Sequence, residues 1–503
     1  MTPEIGGPSR ARRTATWVVL PLLALVALLA WGFASPVGSS PDDDFHLPSI
    51  WCGLGERDGL CEQGSEELTR LVPAAVAGEP CYARDAARDA SCWSGSTDLV
   101  ETDRVNTTHL YPPVFYATMS VFASADVETS VLLMRAFNAL LFVGLVTGVA
   151  ALVPGRLRRS AVLPFAVTAV PLGAFVVPST NPSSWAYLAA GVTWLALYAS
   201  TLVEGRRQIG LALLAVLAGF LGAGARGDAG IYACLAVVIV AILSLRRDRR
   251  LVVPVVAGAV IAAVGALFYL SSTQGGQVSG GFSDGPGGPP LGVWDTFRTV
   301  LEVPDLWIGA VGGWGLGWFD VPLPALVPVL VWAVLSAAVF LGLGKATPRT
   351  LIAAVVTLGA LWGMPTLLHQ QSGVLPGSFV QPRYLLPVLV LLVGVLTVAT
   401  ARGKVEWTRA QGVTGAAALA LAAAVALFTT IRRFTVGIET PVWNLDGDPR
   451  WWWDVLAPTP LTVLVTGSLA ALAVFLLAER LGRAAPTPER ALDDVPEPRP
   501  TEK

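Results

Sequence analysis

Apolar runs of roughly 18 to 25 residues recur along the whole chain, and each is long enough to cross a hydrocarbon core of about 30 Å as a helix. About twelve such runs can be drawn, at 16–35, 128–152, 160–178, 184–203, 208–225, 229–245, 251–270, 323–343, 350–367, 383–400, 412–431 and 460–479. In lipid every backbone N–H and C=O must find its partner inside the segment, so these runs can only be helices. The expected class is therefore an all-α polytopic membrane protein. With 53% hydrophobic and 14% charged residues among 503, a single soluble core is excluded. A net charge of −2 and a pI near 6.0 lack the basic excess of a nucleic-acid binder.

Lys and Arg in short loops mark the cytoplasmic side, and alternate connections obey that rule. Arg156, Arg158 and Arg159 follow the second run, Arg206 and Arg207 the fourth, and Arg246, Arg247, Arg249 and Arg250 the sixth. Lys345 and Arg349, then Arg402, Lys404 and Arg409, then Arg480 and Arg483 continue the pattern. Residues 1–15 and both termini are thus expected in the cytoplasm, with a membrane domain over 16–480. The first run follows Arg10, Arg12 and Arg13 without a convincing cleavage site, which reads as a signal anchor. After it, 481–503 is rich in Pro, Glu and Asp and reads as a disordered cytoplasmic tail. Every long loop falls on the other face: 36–127, 271–322, 368–382 and 432–459, with the Gly- and Pro-rich stretch 275–290 as a flexible segment.

The polar residues that carry chemistry gather on that exterior face. Ser40-Pro41-Asp42-Asp43-Asp44-Phe45-His46 puts three carboxylates and an imidazole just after the first span. Adjacent carboxylates raise one another's pKa unless a cation intervenes, so Asp42, Asp43 or Asp44 could serve as a general base beside His46. The plainer alternative is an acidic helix cap. Tyr111 and Tyr116 flank a short apolar segment, and Asn181 lies in the next exterior turn. Arg226 and Asp228 are either an ion pair in a tight turn or an anion fork. Arg135, inside the second run, is either snorkelling or kept for a headgroup or pathway. Trp318 and Asp320, Gln381-Pro382-Arg383-Tyr384, and Asn444, Asp446 and Trp451 complete the set. Tryptophan beside carboxylates suits a carbohydrate cleft or a membrane-interface belt. Cys52, Cys61, Cys81 and Cys92 cluster in the first exterior loop without paired C-x-x-C spacing. They suggest two disulfides, whose pairing four cysteines leave open.

The order of these motifs resembles one family of bacterial membrane proteins, the domain of unknown function 2142 family, common in actinobacteria. It runs from the acidic motif with His, through Tyr-Pro-Pro-x-x-Tyr, Asn-Pro-Ser, Arg-Gly-Asp and Gly-Trp-x-Asp-x-Pro-Leu-Pro, to Gln-x-Arg-Tyr, over roughly residues 15 to 480. That family in turn looks like part of the C-type (GT-C) membrane glycosyltransferase superfamily, whose members take sugars from polyprenyl-phosphate donors and use an acidic residue after the first span as base. The resemblance implies a GT-C-like fold and an inverting glycosyltransferase, with a lipid-linked sugar donor and a cell-envelope glycan or lipid acceptor. Asp42, Asp43 or Asp44 would be the base. Arg226 and Arg383, with Arg135 behind them, would bind the donor phosphate. Tyr111, Tyr116, Asn181, Asp228, Trp318, Asp320, Asn444, Asp446 and Trp451 would bind acceptor. A divalent cation, Mg or Mn, could bridge the aspartates and the phosphate, although no spacing compels one. Two rival classes are a transporter or flippase of envelope precursors, whose signature would be two similar halves, and a non-catalytic envelope-assembly protein.

Overall fold

The computed structural model describes residues 10–244, 246–273, 289–344, 346–376, 380–401, 408–447, 449–453 and 457–481. The expected loop 275–290 and the tail 481–503 fall mainly outside them. The helices are α1 (Arg10–Phe33), α2 (Asp43–Trp51), α3 (Pro113–Ser120), α4 (Val127–Leu152), α5 (Arg158–Thr168), α6 (Ala174–Val176), α7 (Ser183–Ser200) and α8 (Gly205–Ala225). They continue as α9 (Gly227–Ser244), α10 (Val252–Ser271), α11 (Val293–Ala310), α12 (Leu326–Leu343), α13 (Pro348–Ser372), α14 (Leu386–Ala401), α15 (Arg409–Val436) and α16 (Pro460–Leu481).

Among the described residues, 9 helices are long and apolar enough to cross a membrane. They cover nine of the expected runs. The remaining three lie on Trp17–Phe33 and Pro382–Val398, which are shorter apolar helices, and on α7. Helix α7 is buried along its whole length and packs against α8, α9 and α14. With no lipid-facing side it can carry Ser183, Ser184 and Thr193, which dilutes its hydropathy. The outer helices show the reverse pattern: Leu213, Leu217, Val255, Val256 and Val355 stand exposed, as side chains that meet acyl chains rather than water would.

Helix boundaries follow local chemistry. Thr408 accepts from the Gln411 backbone and Gln411 reaches back to the Thr408 N–H, a capping box that starts α15. Asp126 caps α4, and Thr347 caps α13 ahead of Pro348. At one end of the bundle the basic connections are tied down: Arg207 donates to the carbonyls of Leu152 and Val153, and Arg250 pairs with Glu204 at 2.7 Å. At the other end the long connections pack on one another. The stretch between α1 and α4 folds around a small antiparallel sheet of β1 (Glu62–Gln63), β2 (Arg70–Pro73) and β3 (Leu99–Thr102), in the order β1-β2-β3. Cys52 bonds to Cys61 and Cys81 to Cys92, while Cys234 is free. The first disulfide sits directly after α2. Within its loop Arg57 donates to the Trp51 carbonyl at 2.6 Å and to Ser120 Oγ at 2.9 Å, which clamps α2 to α3.

Candidate active site

The site begins where α1 ends. Arg135, fully buried on α4, donates to the carbonyls of Gly32, Ser35 and Pro36, supplying the partners that the last turn of α1 and the chain beyond it lack. Its guanidinium also lies 5.7 Å over the Trp453 ring, and Trp453 Nε1 donates to the Phe33 carbonyl at 2.9 Å. Arg135 therefore anchors the neck between α1 and the acidic segment, with three bonds to backbone carbonyls and a longer one, 3.5 Å, to Ser39 Oγ.

The three aspartates diverge. Asp42 adopts a left-handed backbone, φ 62°, a conformation that Asp tolerates better than most residues but at some cost. Its neighbours hold it there. The Ser40 N–H donates to Asp43 Oδ2 at 3.1 Å, closing the turn, and Asn181 Nδ2 donates to the Pro41 carbonyl at 2.8 Å. Asp43 is completely buried and also accepts from Thr180 Oγ1 at 3.0 Å. Burial pushes its carboxyl up to about 7, with Arg135, Thr180 and the Ser40 N–H opposing. Asp44 points to Arg104, which bonds it at 2.7–2.8 Å; burial raises its carboxyl despite that partner. Asp42 turns to Arg383 and pairs with its Nη2. Its side chain is 31% exposed, against 9% for Asp44. Burial works to raise the Asp42 carboxyl, but Arg383 above all holds it below the usual range. Of the three, Asp42 is the most accessible and the one whose carboxyl is held below the usual range.

Around this pair the structure gathers His46, Tyr111, Tyr116, Arg226, Asp228 and Arg383. His46 Nδ1 shares a 2.9 Å hydrogen bond with Tyr116 Oη, and its ring meets the Tyr111 ring edge-on at 5.3 Å. Burial lowers its pKa to about 3, so the imidazole is neutral near pH 7. Arg226, in extended backbone between α8 and α9, grips Asp228 through two bonds of 2.9 and 2.7 Å and reaches Ser183 Oγ at 3.2 Å. Both arginines pack over the Tyr384 ring, the Arg226 guanidinium 4.7 Å and that of Arg383 4.9 Å from its centroid. Buried Arg383 Nε and His46 Nε2 have no hydrogen-bond partner. Polar atoms left unpaired in a buried corner are where a polar ligand gains most. A small cavity opens beside Arg383, lined by Pro41, Leu172, Val176, Phe319 and Gln381 among others.

The other expected residues lie apart from Asp42. Trp318 Nε1 donates to the Gly38 carbonyl at 2.9 Å, which braces the neck. Asp320 accepts from Trp318 N at 3.1 Å and from buried Arg433 at 2.7 Å. Asp446 bonds the Leu461 N–H and Thr459 Oγ1, closing the start of α16, and Asn444 Oδ1 accepts from the Asp446 N–H. Trp451 packs against Trp452 with ring centroids 4.3 Å apart and the planes tilted by 43°. Among the described residues no group of three or more His, Cys, Asp or Glu side chains is placed to hold a metal ion. The aspartates face arginine and threonine instead.

Sequence reasoning passed over Arg104, Ser183, Tyr384 and Arg433. Tyr384 and Ser183 sat inside quoted motifs, next to the residues that drew attention. Arg104 carried no signal, being one more charge in a polar loop.

The sequence profile of the family described as "Predicted membrane protein (DUF2142)" matches residues 25–392. The chain belongs to the DUF2142 family. That span reaches from α1 to the middle of α14 and holds every residue of the Asp42 cluster. Among curated proteins none matches this DUF2142 chain. Among solved structures, it is similar to that of ArnT from Cupriavidus metallidurans in the apo state. Identity there is 15%, the match covers 94% of this chain and 78% of that one, and the TM-score is 0.40.

Proposed function

We propose that this DUF2142 protein is a membrane glycosyltransferase that moves a sugar from a polyprenyl-phosphate donor to a cell-envelope glycan or lipid acceptor, with inversion at the anomeric carbon. The observation that carries the reading is the Asp42–Arg383 corner: one accessible carboxylate beside two guanidiniums packed on one tyrosine ring, directly after the first helix. Asp42 takes the proton of the acceptor hydroxyl as its oxygen attacks the anomeric carbon. The bond from that carbon to the donor phosphate oxygen breaks, its electron pair stays on the phosphate, and lipid phosphate leaves. A single displacement inverts the centre. The leaving group is already an anion, so fixed positive charge serves it better than an acid. Arg383 and Arg226 supply that charge, and both pack on the Tyr384 ring.

An apolar groove of about 160 Å³ between α1, α4, α5, α15 and α16, lined by Trp17, Leu28, Trp31 and Phe475 among others, supports the lipid half of the reading. Val170 and Ala174 line it, while Leu172 and Val176 of the same segment line the Arg383 cavity. One wall thus separates a place for a prenyl chain from a place for its phosphate. The long-loop face would be the exterior of a bacterial plasma membrane, with both termini cytoplasmic.

The test is reconstitution of the purified protein in liposomes with polyprenyl-phosphate sugars and envelope glycan acceptors. The expected result is a sugar-extended acceptor of inverted configuration together with free polyprenyl phosphate. Solute uptake into the liposomes without any transfer would replace this reading with a transporter.

A further inference from the structure

Resting on the reading of this corner as a lipid-phosphate site, its charges raise a question that the chemistry alone does not answer. The three guanidiniums whose fields reach Asp42 are Arg383, Arg226 and Arg104. Each already holds a carboxylate: Arg383 holds Asp42, Arg226 holds Asp228, and Arg104 holds Asp44. The pairs cancel, and His46 adds no charge near pH 7. An arriving phosphate thus meets a neutral set. Placing an anion in a buried corner without a free cation is costly, so either a pair opens or a cation arrives with the donor.

The pairs differ in how easily they open. Arg226 holds both oxygens of Asp228 and is fixed further by Ser183. Arg104 holds Asp44 through both Nε and Nη2, at 2.8 and 2.7 Å, and lies over the Phe45 ring. Arg383 bonds Asp42 through Nη2 alone, and its buried Nε has no partner. Asp42 in turn has surface to move into, and it is held by one guanidinium nitrogen where Asp228 is held by two. A bidentate anion on Nε and Nη2 would satisfy the whole edge of the guanidinium, a geometry that phosphate fits.

We infer that the donor phosphate displaces Asp42 from Arg383, so that donor binding and release of the base are one event. While the site is empty, Arg383 keeps Asp42 paired and a poor base. Once phosphate occupies Arg383, Asp42 is freed and like-charge repulsion makes it more basic at the moment an acceptor hydroxyl can be used. The same competition makes Asp42 an obstacle to the donor.

The test is equilibrium binding of a polyprenyl phosphate without sugar to the full chain in nanodiscs, with the uncharged polyprenol as control. Asp42→Asn, which keeps size and tolerates the left-handed backbone, should bind the phosphate about tenfold more tightly, the worth of one modest ion pair (about 1.4 kcal/mol). Asp42→Gly, suited to the same φ, should do likewise, and neither should change polyprenol binding. Arg383→Gln should erase the gain. Equal or weaker phosphate binding by both Asp42 variants overturns the inference, as does binding that requires a divalent cation and ignores Asp42. If the gain appears but no sugar is ever transferred, displacement stands and the glycosyltransferase reading falls. Transfer by the wild type without the gain removes displacement alone.

Discussion

Two aspartate–arginine pairs stand on the same face of the molecule, Asp320 with Arg433 and Asp42 with Arg383, and they have opposite characters. Arg433 and Asp320 are buried to 0% and 1% exposure. Arg433 also donates to the carbonyls of Tyr82, Asp85, Arg88 and Asp320, and Asp320 takes the Trp318 N–H. Every strong valence is used, so the pair stitches α15 to the disulfide-bonded loop and to the segment before α12. In the other pair one donor is idle, one carboxylate is open and the backbone at Asp42 is strained. A saturated ion pair holds a fold together. An unsaturated one in a strained turn has interactions left to offer a substrate.

That contrast can be broken from either side. The largest effect is expected at the saturated pair: Arg433→Ala removes the counter-charge of a buried carboxylate and the side-chain donor to four carbonyls and should cost about 3–5 kcal/mol, read as a lower unfolding midpoint in detergent or as loss of folded protein. Arg383→Gln comes next. Asp42 can reach water, so the fold should survive, while transfer falls about 10²-fold with the loss of one charge-stabilising donor. The pH profile adds a signature. In kcat/KM, which reports the free enzyme, the proposed base Asp42 is ionised with a pKa below the usual value, so activity is lost as pH falls through that low pKa. Without Arg383 the pKa rises, and the acid limb must move to higher pH.

The third effect concerns Asp43. Its carboxyl is pushed from 3.8 up to about 7 in the fold, so between those values the unfolded chain gives up a proton that the folded protein keeps. Asp43's contribution to stability is complete below 3.8 and shrinks as pH rises toward 7. Thermal unfolding followed over that window should show this slope in the wild type and lose it in Asp43→Asn. The smallest effect is expected for Arg104→Ala, whose half-exposed partnership with Asp44 should be worth about 1 kcal/mol or less, with transfer reduced only a few-fold.

The hydrophobic runs were legible because lipid leaves the backbone one solution, and each overlies a helix. Helix α7 shows the limit: it is enclosed by protein, so its composition resembles that of a soluble core helix. The residues of the site were legible as motifs, but their grouping was not. Arg383 and Asp42 are 341 residues apart, and no local pattern joins them. Asp42, Asp43 and Asp44 looked equivalent in sequence because the left-handed turn that sends them three ways depends on Thr180 and Asn181, which arrive from another helix connection. Arg433 carried no signal in the sequence, and only tertiary packing reveals its acceptors. Asp320 was legible as an acidic residue near tryptophan, a pattern that suits a sugar cleft as well as it suits the brace the structure shows.

The most direct measurement is the single-turnover rate of sugar transfer by wild type, Asp42→Asn and Asp44→Asn, with folding of each checked by its unfolding midpoint. If Asp42 is the base, its variant loses about 10²–10⁴-fold while folding normally, and Asp44→Asn stays within about tenfold of wild type, as a half-exposed pair would allow. Full activity in Asp42→Asn, or an equal loss in Asp44→Asn, would contradict the account.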